Sequence, residues 1–225
     1  TIRDAFGRNR YFLWSVSQLD TTKLLVIGQD ITIAKEKELS IIEANKTLQL
    51  RQQDFSDSVD YAQRIQEAIL PNPDRLSRLV GNGFVLYKPK DTVSGDFYWF
   101  TEDEESIYIV AGDCTGHGIP GAMLTVLAIN LLREIIQKQG ISSPGEILNT
   151  LDQEVIQAFR DDNGHYKAKD GMDIALLKLS KTESKLEYAA AFRPVGLVRN
   201  GVYQELKGER YPIGFFDEIP KSFKT

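Results

Sequence analysis

The chain has 225 residues, 42% of them hydrophobic and 26% charged, with a formal net charge of -5. Such usage is that of an ordinary globular domain and excludes wholesale disorder. The acidic balance gives no electrostatic case for nucleic acid as the main partner. The single cysteine, Cys114, excludes an internal disulfide and a thiolate zinc cluster. Two histidines, His117 and His165, exclude a histidine-rich metal site. The longest apolar stretch, Ala122 to Leu132, is too short to span a bilayer, and the polar N-terminus does not read as a signal peptide. The expectation is a cytoplasmic protein with no membrane segment in this chain.

The elements fall into three zones. In residues 1–34, Tyr11 to Ser17 mixes aromatic and β-branched residues, and Leu24 to Gly28 follows a polar turn at Asp20-Thr21-Thr22. This predicts a β-hairpin. Two strands alone are marginal in water, so the zone is expected to be the end of a larger sheet. Residues 35–72 hold the second zone. From Lys35 to Leu70 there is no glycine or proline, and Glu, Lys, Gln and Leu dominate. Ile41, Leu48, Phe55, Ala62 and Ile69 recur at heptad spacing, while Arg51 and Ser58 interrupt the second apolar row. The pattern predicts a coiled coil, hence a homodimer through the helix at 35–70, ended by Pro71 and Pro73.

The third zone, 73–225, reads as mixed α and β. Strands are predicted at Phe84–Tyr87, Asp96–Phe100, Ser106–Ala111, Asp173–Leu179, Leu186–Ala191, Val195–Val198 and Val202–Leu206. Helices are predicted from about Pro120 to Lys138, and from Pro144 to about Phe159. Asn200-Gly201 marks a tight hairpin turn. No crossover helix separates the later strands, which predicts antiparallel pairing and an α+β sandwich.

The chemistry-bearing feature is a set of aspartates at strand ends: Asp96, Asp113, Asp170 and Asp173. Taken singly, each is an ordinary turn residue. Together they are costly to bring into one place unless a cation compensates them, and oxygen-only donors favour Mg²⁺ or Mn²⁺. Gly112, Gly116 and Gly118 around Asp113 permit close backbone approach and an inward-facing carbonyl.

The succession Ser94-Gly95-Asp96, then Ile109 to Gly118 with Gly112-Asp113-Cys114-Thr115-Gly116-His117-Gly118, then Asp170-Gly171-Met172-Asp173, resembles the SpoIIE-type serine/threonine phosphatases of the metal-dependent PPM (PP2C-like) superfamily. Tyr61 to Pro71 resembles that family's opening helix, and Lys88 to Val93 its approach to the first aspartate. Pro212-Ile213-Gly214 resembles its late Pro-Leu/Ile-Gly, so the likeness covers about Val59 to Phe216. Residues Trp14 to Ala34 resemble the C-terminal end of a PAS sensor domain.

The resemblance implies a four-layer αββα sandwich, C-terminally incomplete, carrying an N-terminal long helix and a short β-hairpin remnant. It implies a centre of two ions, Mn²⁺ or Mg²⁺. Asp113 would bridge them, the carbonyl of Cys114 would bind one, and Asp96 would lie on the same side. Asp173 or Asp170 would serve the other ion, with Asp173 preferred because it abuts the strand. A water acidified between the ions would attack phosphorus in line, and His117 would assist proton transfer. The implied substrate is phosphoserine or phosphothreonine on a signalling protein, in this family a STAS-type anti-sigma-factor antagonist, with an N-terminal sensor as regulator. The family's later Asp-Gly strand end has no counterpart here, so the chain is expected to be a fragment of a longer sensor-phosphatase. Ala191-Phe192-Arg193-Pro194 also departs from the family's small or glycine-rich turn, and Arg193 there is a candidate phosphate ligand. The alternative is a catalytically incomplete signalling and dimerisation module. A nucleotide cyclase is disfavoured, since no purine-selecting signature is present.

Overall fold

A computed structural model describes residues 1–163, 165, 170–214 and 221–225. The chain divides into two units, Thr1–Asp57 and Ser58–Thr225. Phe216, the far end of the family likeness, lies outside the described residues.

The first unit opens with the short antiparallel pair β1 (Ile2–Arg3) and β2 (Asn9–Arg10). The predicted hairpin follows as β3 (Phe12–Gln18) and β4 (Leu24–Asp30). Its turn is closed by the Asp20 carboxylate, which accepts the Thr22 amide at 2.7 Å. Trp14 faces Gly28 across the pair, and a Cβ on Gly28 would fall 2.6 Å from the indole. The absent side chain is what lets the ring lie on the backbone. The long helix α1 (Thr32–Ile69) begins where Thr32 donates its amide to Asp30 at 2.8 Å.

The heptad stripe of α1 has two fates. Ile41, Leu48 and Phe55 are exposed along the single chain. Ala62 is half-buried, and Ile69 packs on the core of the second unit. Gln66, between them at helical spacing, is 4% exposed.

In the second unit, α2 (Pro73–Val80) starts on Asn72, whose side chain accepts the Asp74 amide at 2.9 Å, with Pro73 at the first helical position. Phe84–Tyr87 is not a strand. Phe84 is 83% and Leu86 75% exposed, and the segment pairs with no described strand, so its apolar alternation has no ladder to join.

The sheet is antiparallel throughout, in the order β5 (Asp96–Glu102), β6 (Ser106–Cys114), β7 (Met172–Ser180), β8 (Leu186–Ala191). One face carries a row Trp99, Val110, Leu176, Ala189. It is covered by α3 (Ile119–Arg133), with a one-turn π-helical extension Glu134–Lys138, and by α4 (Pro144–Ala158). Ile129, Leu132, Leu148 and Leu151 complete this core with no solvent exposure. By length and apolarity α3 with its extension could cross a membrane, but its apolar residues are the centre of this core.

The other face, with Tyr98 and Ala111, opens onto a cavity of about 640 Å³. The hairpin β9 (Val195–Arg199) and β10 (Val202–Leu206) turns at Asn200 (φ 54°) and Gly201 (φ 78°), the two left-handed residues a type I′ turn needs. At the C-terminus, the Asn149 amide brackets Phe223, accepting its N–H at 2.9 Å and donating to its carbonyl at 3.1 Å. Truncating Leu151, which meets no solvent, is expected to cost about 2–5 kcal/mol. Urea unfolding of Leu151→Ala checks this, and a loss below about 1 kcal/mol would show a core that relaxes freely.

Candidate functional site

The register of the sheet determines which aspartates meet. Asp96 opens β5 and pairs across with Asp113, near the end of β6. Asp113 in turn pairs with Asp173, the second residue of β7. Direct partners on neighbouring strands point to the same face, so the three carboxylates form one row, a strand spacing apart. The row lies on the face opposite Trp99 and Val110. Asp170 lies outside it, just before β7. Its Oδ1 accepts the Thr115 hydroxyl at 3.0 Å, and Thr115 accepts the Gly171 amide at 3.1 Å.

Burial pushes the Asp96 carboxyl above its usual range, and the negative charge of Asp113 adds to this. Asp173 is raised by burial too, with Arg193 opposing the shift and Asp113 reinforcing it. The Arg193 guanidinium reaches into the row. Its Nη2 contacts Asp113 Oδ2, and its Nε lies 3.9 Å from Asp173 Oδ2.

The Ser94-Gly95 segment is held by two helices. From the end of α1, Gln66 Nε2 donates to the Ser94 carbonyl at 2.7 Å, and its Oε1 accepts the Ser94 amide at 3.1 Å. From α3, the Thr125 hydroxyl lies 3.1 Å from the Gly95 carbonyl and 3.2 Å from that of Ser94. Tyr87 donates its hydroxyl to the Asp96 carbonyl at 3.2 Å. Gly95 is obligatory here: a Cβ would sit 2.8 Å from the Cys114 carbonyl oxygen and 3.0 Å from that of Gly116. The loop after Asp113 turns through Gly116 (φ 84°) and Gly118 (φ 64°) into α3.

Cys114 is buried, and desolvation pushes its thiol up to about 12. It stays protonated at neutral pH, so only its carbonyl is available as a hard-cation donor. His117 is exposed and lies 3.7 Å from Asp91, beside a cavity of about 190 Å³ that Asp96 and Asp113 also line. A second cavity, about 730 Å³, adjoins Asp113, Asp173, Phe192 and Arg210.

The donor chemistry fits a hard divalent cation: carboxylate oxygens in one row and a neighbouring main-chain carbonyl. Among the described residues no three His, Cys, Asp or Glu side chains close around one point, and Arg193 lies among the carboxylates instead. Sequence reasoning placed Asp96, Asp113 and Asp173 at strand ends but missed Gln66, Thr125 and Thr115 as their supports. A signal for Gln66 exists, since it is a polar residue on the core-facing stripe between Ala62 and Ile69.

The sequence model of the Stage II sporulation protein E (SpoIIE) family matches residues 103–225. Phosphoserine phosphatase RsbU of Bacillus subtilis (strain 168) is 30% identical over 115 residues, 51% of this chain and 33% of that protein. Phosphoserine phosphatase RsbP of the same organism is 26% identical over 164 residues, 72% of this chain and 39% of that protein. The chain thus spans between 33% and 39% of the length of these curated relatives. The SiaA-PP2C domain of Pseudomonas aeruginosa superposes with a TM-score of 0.62 at 37% identity, over 73% of this chain and 64% of that one. The α+β fold is PP2C-like.

A carboxyl raised above its unfolded value is costly once ionised, so stability falls as pH rises through the interval between the two values. Asp96→Asn is therefore expected to raise the thermal midpoint of chelator-treated protein at neutral pH. The gain should vanish below the ordinary carboxylate value of 3.8. Thermal unfolding from acid to neutral pH measures it, and a lower neutral midpoint in the variant would contradict the cost of ionising Asp96 in this place.

Proposed function

The chain belongs to the SpoIIE family, and from that membership we propose that its second unit is a metal-dependent protein serine/threonine phosphatase. The observation that carries the reading is the in-register row Asp96, Asp113, Asp173. These carboxylates, with the Cys114 carbonyl, would hold Mn²⁺ or Mg²⁺. When bound, such ions supply an acidified water as nucleophile and compensate charge on the phosphoryl oxygens. Asp113, at the centre of the row, is placed to serve both flanking positions. Gly95 and Gly121 let the two loops and the start of α3 approach without a side chain between them. Arg210, beside the larger cavity, offers a cation to an acidic or phosphorylated segment of a protein substrate. We take that substrate to be a phosphorylated signalling protein of the STAS type. His117, at the rim of the smaller cavity, would exchange a proton with solvent.

Regulation is proposed to enter through α1. Its exposed Ile41, Leu48 and Phe55 form the stripe of a parallel homodimer, and its far end holds Ser94 through Gln66. The hairpin before it is read as the end of a PAS-like sensor. A second reading, a signalling module without turnover, is favoured by the Arg193–Asp113 contact in place of a closed donor set.

Hydrolysis of a phosphoserine peptide with Mn²⁺ separates the two readings. Turnover abolished by chelator and reduced at least about a hundredfold in Asp113→Asn supports the enzyme. Absent turnover supports the module, and metal-independent turnover contradicts both readings. Gln66→Ala removes the partner of the Ser94 amide and leaves its carbonyl to Thr125 alone, and should lower kcat about tenfold at an unchanged KM. An unaltered kcat would remove Gln66 from the coupling. Leu48→Asp with Phe55→Asp should convert a dimer to a monomer in light scattering, and a persistent dimer would place the interface elsewhere.

A further inference from the structure

Arg193 is delivered into the acidic row by a turn that spends conformational strain to do so. Phe192, just before it, sits at φ 56°, a left-handed backbone that a bulky side chain rarely adopts. The ring does not account for this, since Phe192 is 51% exposed. The backbone is fastened instead. Phe192 donates its amide to Glu209 at 2.9 Å, Arg193 donates to Ala191 at 2.7 Å, and Phe192 also bridges Ile174 of β7. Pro194 then confines Arg193 to extended backbone. The guanidinium that results contacts Asp113 and flanks Asp173, and its side chain is half-exposed, so no packing requirement holds it there. Three carboxylates on one face need a positive charge, and this one cannot be removed by deprotonation.

We propose that Arg193 is a built-in counter-cation that competes with divalent metal for Asp113 and Asp173, and so sets the concentration at which the centre loads. The proposal rests on the metal-centre reading given above. A fixed guanidinium and a divalent ion using the same oxygens repel at short range, where ionic screening is weak. Loading must therefore break the arginine's contacts, and the free acidic row is kept neutralised until it does.

The test is calorimetric titration of Mn²⁺ into the full chain, with the electron paramagnetic resonance of free Mn²⁺ as a second measure. Wild type, Arg193→Ala, Arg193→Lys and Asp113→Asn are compared after circular dichroism has shown each to be folded. Arg193→Ala is expected to bind Mn²⁺ about tenfold tighter, and Arg193→Lys, which keeps the charge, to stay within about threefold of wild type. Equal or weaker binding in Arg193→Ala, with binding still lost in Asp113→Asn, overturns the proposal and leaves the metal centre standing. No Mn²⁺ binding by any of the four overturns both.

Discussion

The antiparallel register of β5, β6 and β7 sets three carboxylates side by side at one end of one sheet face. The carboxyls of Asp96 and Asp173 are raised, first by burial and in smaller part by the neighbouring charge of Asp113. The row persists because slipping any strand by one residue would turn its apolar side chains out of the core. Trp99, Val110 and Leu176 occupy the buried face three positions further along the same strands, and Ala189 of β8 extends it. The hydrophobic burial of that face is the larger energy, and it holds the acidic row in place against its own electrostatics.

Around the row, the surrounding elements act as supports for it. Gln66, at the end of α1, and Thr125, in α3, both address the Ser94-Gly95 backbone, so two helices meet at the segment that launches Asp96. Gly95 closes against the carbonyls of Cys114 and Gly116, which ties the two loops of the site together. Thr115 holds Asp170 and Gly171 and thereby fixes the start of β7. A site assembled from backbone contacts of this kind changes shape when a supporting helix shifts, the physical ground for the proposed regulation through α1.

Much of this was legible in the residues. The strands of the sheet, the Asn200-Gly201 turn and the helices opened by Pro120 and Pro144 follow from local periodicity and turn chemistry. The α2 helix was not predicted: Pro73 was read only as ending the helix before it, and eight residues are too few for periodicity to announce a new one. Phe84 to Tyr87 shows the opposite failure: its alternation is that of a strand, and the ladder it requires is absent among the described residues. The heptad row was read from Ile41 to Ile69, and of these Ile69 packs on the core of the second unit.

By itself the sequence determined what depends on near neighbours: helix and strand positions, the left-handed turns, and the accumulation of aspartates where strands stop. Its family motifs further limited the chemistry those aspartates serve. Only the tertiary structure decided which of them share a row. Asp173 pairs with Asp113 while Asp170, three residues earlier, bonds Thr115. It also decided that Arg193 lies against Asp113, 80 residues away in the chain. The reason is one of range. Propensity and periodicity act over a few residues, whereas register is chosen by the burial of a whole sheet face, and the site inherits its geometry from that choice.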